Sequence, residues 1–299
     1  MQERLQGVRP LAGGADPWQG SDPGFSLASS AVNLDGKRVL LSGATGGLGQ
    51  AIATELAGRG AKLVLSSRRR KELQELARSL PGGGRRHKVI VADLAKPGAA
   101  AKLVRDAGDV DVLVANAALP GTGRLDSFSR AEVERALRVN LEAPVMMARE
   151  LEPVFKKKGE GHIVLIASLA GKVGSPRSSI YNATKFGLRG FAFGLREDLH
   201  PYGAGVSVVS PGFVREAGMF HDADAPDPPG LGTTTPKKVA KAVSKAIRRD
   251  KLEITVAPRR QRFITEFGYR HPALASRFQR QAGADELADR LAAGQSDKR

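Results

Sequence analysis

Cysteine is absent from the 299 residues. That excludes disulfides and thiolate metal sites, and no metal site of another kind is expected. No apolar run approaches the roughly 18 residues that a membrane-spanning helix needs. The first twenty residues, MQERLQGVRPLAGGADPWQG, lack the continuous apolar stretch of a secretory signal. The expectation is a soluble, cytoplasmic protein. Hydrophobic residues make up 41% of the chain, enough for a sizeable core. The length permits one large α/β domain with extensions.

Acidic residues are also in short supply, leaving a net charge of +16. The deficit is local. From Arg68 to Lys88 eight lysines and arginines stand against two acids, and from Lys237 to Arg299 sixteen stand against seven. The remainder is nearly neutral, so the chain has two basic regions rather than a positive coat. No aromatic-interleaved basic stretch or nucleic-acid-binding motif accompanies them, so no nucleic-acid partner is expected.

Residues 1–34 are rich in Gly, Pro, Ser and Asp and read as a flexible N-terminal extension. From Lys37 the pattern changes. Apolar runs recur at Val39–Leu41, Leu63–Leu65, Val89–Val91, Val110–Val114, Ile163–Ile166, Val206–Val209 and Ile254–Val256. Helical patterns separate them at Gln50–Ala57, Lys71–Ser79, Ala99–Asp106, Arg130–Phe155, Ser179–His200 and Pro236–Arg249. Seven buried strands alternating with helices predict an α/β fold, a doubly wound parallel seven-stranded sheet covered on both faces. The domain spans 35–257, and a basic tail, 258–299, follows once the rhythm stops.

The first strand runs into Ser42-Gly43-Ala44-Thr45-Gly46-Gly47-Leu48-Gly49 and opens a helix. Such a turn sets backbone N–H groups and a helix N-terminus against a pyrophosphate. Gly43 allows the tight turn, Gly47 lets the backbone approach phosphate, and Gly49 permits close helix–strand packing. The second strand ends Leu65-Ser66-Ser67-Arg68-Arg69-Arg70. An NAD enzyme places an acid here for the ribose 2′-OH. This chain has none, and guanidinium groups match a 2′-phosphate. The cofactor expected is NADP(H).

Ser168 ends the fifth strand run, Tyr181 lies thirteen residues on, and Lys185 four beyond that. Positions i and i+4 share a helix face. An ammonium near a phenol favours phenolate, and a phenol so tuned can give a proton to a carbonyl oxygen or remove one from an alcohol. Ser168 can donate a hydrogen bond to the same oxygen as charge develops there.

The glycine spacing, with Ser168, Tyr181, Lys185 and Asn140 in Arg138-Val139-Asn140-Leu141, resembles the short-chain dehydrogenase/reductase family over about residues 36–257. The resemblance implies a Rossmann fold and an NADP(H)-dependent ketone reductase or alcohol dehydrogenase. Its small-molecule carbonyl or alcohol substrate is expected to be hydrophobic. It implies Arg68 as the residue for the 2′-phosphate, with Ser67, Arg69 and Thr45 beside it. It also implies Asp93 and Leu94 at the adenine, and Asn116 and Ala117 in an Asn-Ala-Gly-like element in which Ala118 replaces Gly. Leu48, Pro211, Gly212 and Val214 fall at cofactor positions, Pro211-Gly212 as the turn beside the nicotinamide. The Asn140 main chain is expected to help hold a water linked to the lysine. Ser42 stands where Thr is usual, and Glu216 where many members carry a Thr that holds the carboxamide. Residues Phe213–Gly232 are the expected substrate loop. The family pattern further implies a homodimer or homotetramer joined through the long helices flanking the fifth strand, where Gly187, Gly190 and Gly194 lie beside Phe186, Phe191 and Phe193.

The intact Ser168, Tyr181 and Lys185 count against the competing reading, a catalytically silent NADP(H)-binding sensor or scaffold. In the tail, Phe263 and Phe267 would share a helix face beside Arg259, Arg260 and Arg262. This ridge reads as an attachment or assembly element separate from the catalytic machinery. It could pack within an oligomer, close over the substrate loop, or make peripheral contact with anionic lipid head groups.

Overall fold

The computed structural model describes residues 30–216, 230–281 and 284–295. Their elements run β1 (Arg38–Ser42), α1 (Gly47–Ala57), β2 (Lys62–Ser67), α2 (Arg70–Ser79), α3 (Gly83–Arg86), β3 (Lys88–Val91), α4 (Ala99–Ala107) and β4 (Val112–Ala115). Next come α5 (Arg130–Leu137), a π-helical turn (Arg138–Glu142), α6 (Ala143–Lys158), β5 (Gly161–Ile166), α7 (Ser179–Leu199), β6 (Ala204–Pro211), α8 (Pro236–Arg248) and β7 (Glu253–Val256). Three helices close the chain: α9 (Arg259–Arg270), α10 (Pro272–Gln281) and α11 (Ala284–Ala293).

The seven strands form one sheet in the order β3-β2-β1-β4-β5-β6-β7, parallel throughout. Side chains alternate across a strand. Val39, Leu41, Val112, Val114 and Val164 therefore face a core with Ile52, Leu56, Val243 and Ile247. Leu40, Leu113, Ile163 and Leu165 face the opposite core, with Met147, Leu151, Phe155 and Leu188. Burial on both faces is why these strands read as near-continuous apolar runs.

The strand order reverses direction between β1 and β4. At such a switch point the loops at the carboxyl ends of neighbouring strands part and leave a crevice.

Three details differ from the sequence reading. The helix expected over Arg130–Phe155 is interrupted by the π turn, whose wide bond runs from the Ala143 N–H to the Arg138 carbonyl. Pro144 has no N–H, so the Asn140 carbonyl lacks its ordinary helical donor there. Val32 and Leu34, inside the segment assigned by composition to the extension, are buried in the first core, and the Val32 N–H donates to the Ile247 carbonyl at 3.1 Å. Beyond Pro258, where the sequence reading placed a basic tail with one helical aromatic ridge, the described residues form three helices.

Candidate active site

The Ser67 hydroxyl, at the end of β2, accepts from the Arg69 N–H at 3.1 Å. This small turn sends the two arginines in different directions. Arg69 reaches across to the glycine loop, its Nη2 donating to the Thr45 carbonyl and to Thr45 Oγ1 at 3.0 Å each. It also pairs with Glu72 at 2.9 Å. Arg68 is exposed and makes no side-chain hydrogen bond or ion pair among the described residues. The arginine that meets the loop is thus Arg69, the one given the lesser part by position.

Helix α1 begins on Gly46-Gly47 with no side-chain cap, and the residues of its first turn bring no acid. By contrast, Ser129 and Glu132 form a reciprocal capping box on α5, and Thr235 caps α8. The first N–H groups of α1 are therefore left to an anionic ligand or solvent. A Cβ at Gly49 would overlap the Gly43 carbonyl oxygen, so the helix can approach its own loop only with glycine there.

The crevice is stitched across β1 and β4. Ser42 Oγ accepts from the N–H groups of Asn116 and Ala117 at 3.1 and 3.2 Å, and Asn116 Nδ2 donates to the Gly43 carbonyl at 3.0 Å. Ser42, noted in the sequence only as a departure from Thr, thus provides the hydroxyl that fixes both loops. After β3, Asp93 Oδ1 accepts from the Ala95 N–H at 3.1 Å and holds the turn, while Leu94 is buried.

Ser168 follows β5 in extended backbone and accepts from the Ala170 N–H at 3.2 Å. Helix α7 carries Tyr181 and Lys185 one turn apart. Lys185 is buried, and its Nζ donates to the Ile166 carbonyl at 2.9 Å. The same ammonium lies 5.5 Å from the Tyr181 ring centroid. Burial pushes the phenol up to about 12, and the nearby Ser168 hydroxyl acts in the opposite direction. Burial pushes Lys185 down to about 8. The lowering of the phenol expected from the ammonium is not what governs it here: desolvation outweighs the opposing Ser168 hydrogen bond.

Gly171 and Asn182, not singled out from the sequence, help to hold this arrangement, as does Asn140. A Cβ on Gly171 would lie 2.6 Å from the Lys185 carbonyl oxygen, so glycine lets the loop after Ser168 sit directly on α7. Asn182 Nδ2 donates to the carbonyls of Ala170 and Val173, at 2.6 and 3.0 Å. The Asn140 side chain is fully buried and clamps the Leu119 backbone, accepting at 2.6 Å and donating at 2.8 Å. Only its spacing inside a long helical pattern with a following proline could have signalled a break there.

On the far side, the Gly212 N–H donates to the Val256 carbonyl at 3.0 Å. Val214 bridges to Thr234. Exposed Glu216, at φ 71°, pairs with Arg215 at 3.4 Å. Residues 217–229, most of the expected substrate loop, lie outside the described residues.

The terminal helices border the same region. Gln261 of α9 donates to the Gly232 carbonyl, and Gln279 of α10 to the Gly174 carbonyl at 3.1 Å. Asp289 of α11 holds Arg177. The tail therefore grips both the loop after Ser168 and the segment before α8, and is not separate from the candidate site.

A profile of the short chain dehydrogenase family matches residues 37–227. The chain belongs to the short-chain dehydrogenase/reductase family. A ketoacyl reductase, HetN, of Nostoc is 38% identical over 229 residues, covering 75% of this chain and 80% of that protein. A metagenomic short-chain oxidoreductase solved in complex with NADP is 31% identical, covers 76% of this chain and 99% of its own, and superposes with a TM-score of 0.64. A 3-ketoacyl-(acyl-carrier-protein) reductase from Brucella melitensis, complexed with NADH, is 25% identical with a TM-score of 0.67, covering 76% and 99%. The short-chain dehydrogenase/reductase assignment makes the protein an oxidoreductase and places its crevice among sites for a nicotinamide cofactor. Among the described residues no helix is long and apolar enough to cross a membrane.

Proposed function

We propose that this protein transfers a hydride between NADP(H) and a hydrophobic carbonyl/alcohol pair, with Tyr181 moving the proton. The observation that carries the reading is Tyr181 beside the Ser168 hydroxyl, with buried Lys185 one helical turn away. The uncapped N-terminus of α1 and the packed glycine loop fit a pyrophosphate. Gly43, Thr45, Gly47, Leu48, Gly49, Asn116, Ala117, Pro211, Gly212 and Val214 line the cofactor's path, with Asp93 and Leu94 at the adenine end.

When bound, the nicotinamide supplies the hydride. Tyr181 donates its proton to the substrate oxygen, so that a carbonyl gains hydride at carbon and a proton at oxygen. Ser168 donates a hydrogen bond to that oxygen as negative charge builds. With the phenol at about 12 and the ammonium at about 8, both groups hold their protons at pH 7. That is the state a reduction requires.

Preference for the 2′-phosphate rests on the absence of an acid at Ser66 and Ser67 and on two adjacent guanidinium groups. Arg69 stands over Thr45 and Arg68 is free to swing in. Copies of the chain pair through α7, where Phe186 is exposed and Cβ positions at Gly190 and Gly194 would meet open space.

An NADPH-oxidation screen over ketones, aldehydes, quinones and 3-oxoacyl thioesters tests the reading. Turnover of at least one class is expected. Tight NADPH binding without turnover on any of them would replace it with a cofactor-binding sensor.

A further inference from the structure

Five of the eleven large hydrophobic side chains exposed among the described residues fall between Phe263 and Phe278. They are Phe263, Ile264, Tyr269, Leu274 and Phe278, all on α9 and α10. Helix α9 sits on the body through Gln261, Thr265 and Gly268, and Gly268 lies against Val173. That choice of face turns Phe263 outward, where it is 73% exposed. Phe267, one turn later, meets Phe278 with ring centroids 6.4 Å apart. Phe263, Phe267 and Phe278 thus form one aromatic ridge across both helices.

The ridge is set in positive charge. Between Arg259 and Gln281 there are six arginines and a single acid, Glu266. Arg270 takes that acid at 3.1 Å. Arg262 is turned to the Thr255 carbonyl and Arg280 to Ser276. Apolar side chains standing in water beside unneutralised arginines are costly unless a surface covers them that is apolar below and anionic above.

We infer that α9 and α10 dock on an anionic lipid bilayer, the aromatic ridge entering the head-group boundary and the arginines meeting lipid phosphates. A second copy is a poor occupant. A two-fold axis through the ridge would oppose six arginines to six, and like charges facing one another are unfavourable. A protein partner would need a groove rimmed with acids, whereas a bilayer presents both chemistries over any shape. Docking this way leaves the loop after Ser168, held by Gln279 and Gly268, directly behind the docked helices.

The test uses the full chain with sedimented vesicles, one set of phosphatidylcholine alone and one containing about a third phosphatidylglycerol. About tenfold stronger partitioning onto the anionic set is expected, weakening as salt screens the charges. Phe263→Asp with Phe278→Asp should cut binding by at least about tenfold, by removing the apolar contribution and adding charges that the anionic surface repels. Arg259→Gln with Arg277→Gln should weaken it about fivefold per charge. Circular dichroism and NADPH binding check that each variant is folded. Absent binding to both vesicle sets overturns the inference, as does equal binding to the two. So does unchanged binding in both folded variants. If the Phe variants instead dissociate an oligomer while the parent ignores vesicles, the ridge is an interface between copies. If the parent ignores vesicles but an acidic protein binds the ridge, the partner is protein, and the lipid assignment falls.

Discussion

Arg177 donates to both carboxylate oxygens of Asp289, at 2.7 and 3.3 Å, across 112 residues of chain. Arg177 stands at φ 55°, a left-handed backbone uncommon for a side chain of its size. It lies in the loop that joins Ser168 to Tyr181, so α11 braces an unusual turn at the edge of the candidate site. Asp289→Ala is expected to leave global unfolding nearly unchanged, because exposed pairs contribute little to it. Amide exchange should rise in residues 172–178, and kcat/KM should fall several-fold with NADPH affinity retained. Unaltered exchange in that loop would show that the brace has no mechanical role.

Tyr181→Phe is expected to lower kcat by roughly 10²–10⁴-fold, the range for a positioned acid–base group. NADPH binding, followed by fluorescence, should change little, since only the phenolic hydroxyl is lost. Lys185→Ala should impair both binding and rate. Near-parental turnover in the phenylalanine variant would refute the assigned proton donor.

Arg68 and Arg69 divide the proposed 2′-phosphate site, and single substitutions should separate their shares. Arg68→Ala should weaken NADPH binding about ten- to a hundredfold, as expected for a charge-assisted contact, with much less effect on NADH. Arg69→Ala should also disturb NADH, because it removes the bonds to Thr45 in the glycine loop. Calorimetric titration of both cofactors reads this out. Equal parental affinity for NADPH and NADH would remove the basis for NADP(H) preference.

His162 is fully buried against Ser207 and the Ser30 carbonyl, and desolvation pushes its pKa down to about 4. The folded state therefore binds fewer protons than the unfolded chain between about pH 6.5 and 4. Its contribution to stability is intact above pH 6.5 and is lost as pH falls toward 4. The full shift corresponds to about 3 kcal/mol. Urea midpoints measured from pH 7 to pH 4 should fall, and His162→Asn should flatten the decline. An equally steep decline in the variant would mean that other groups carry it.

How much of this was legible in the sequence varies with the range of the interaction. Apolar strand runs, the glycine turn and the Tyr181–Lys185 spacing are set within a few residues, and they appear where the pattern placed them, as do the helices other than the one broken between Arg138 and Glu142. Pro144 was legible too, yet its effect on the helix before it depended on which carbonyl it left without a donor.

The sequence by itself determined the doubly wound sheet and the family, because burial on two faces and a glycine-lined turn are written in neighbouring residues. Only the tertiary structure decided which arginine meets Thr45, twenty-four residues away. It alone brought Asp289 to Arg177. It also decided which side of α9 is buried. Hydropathy favours Phe263 and Phe267, but Gln261, Thr265 and Gly268 face the body, because a polar residue is buried readily where a backbone carbonyl accepts from it, as Gly232 does from Gln261. The phenol and ammonium pKa values belong to the same class. Spacing puts the two groups on one helix face, but removal of water by surrounding elements sets where they titrate.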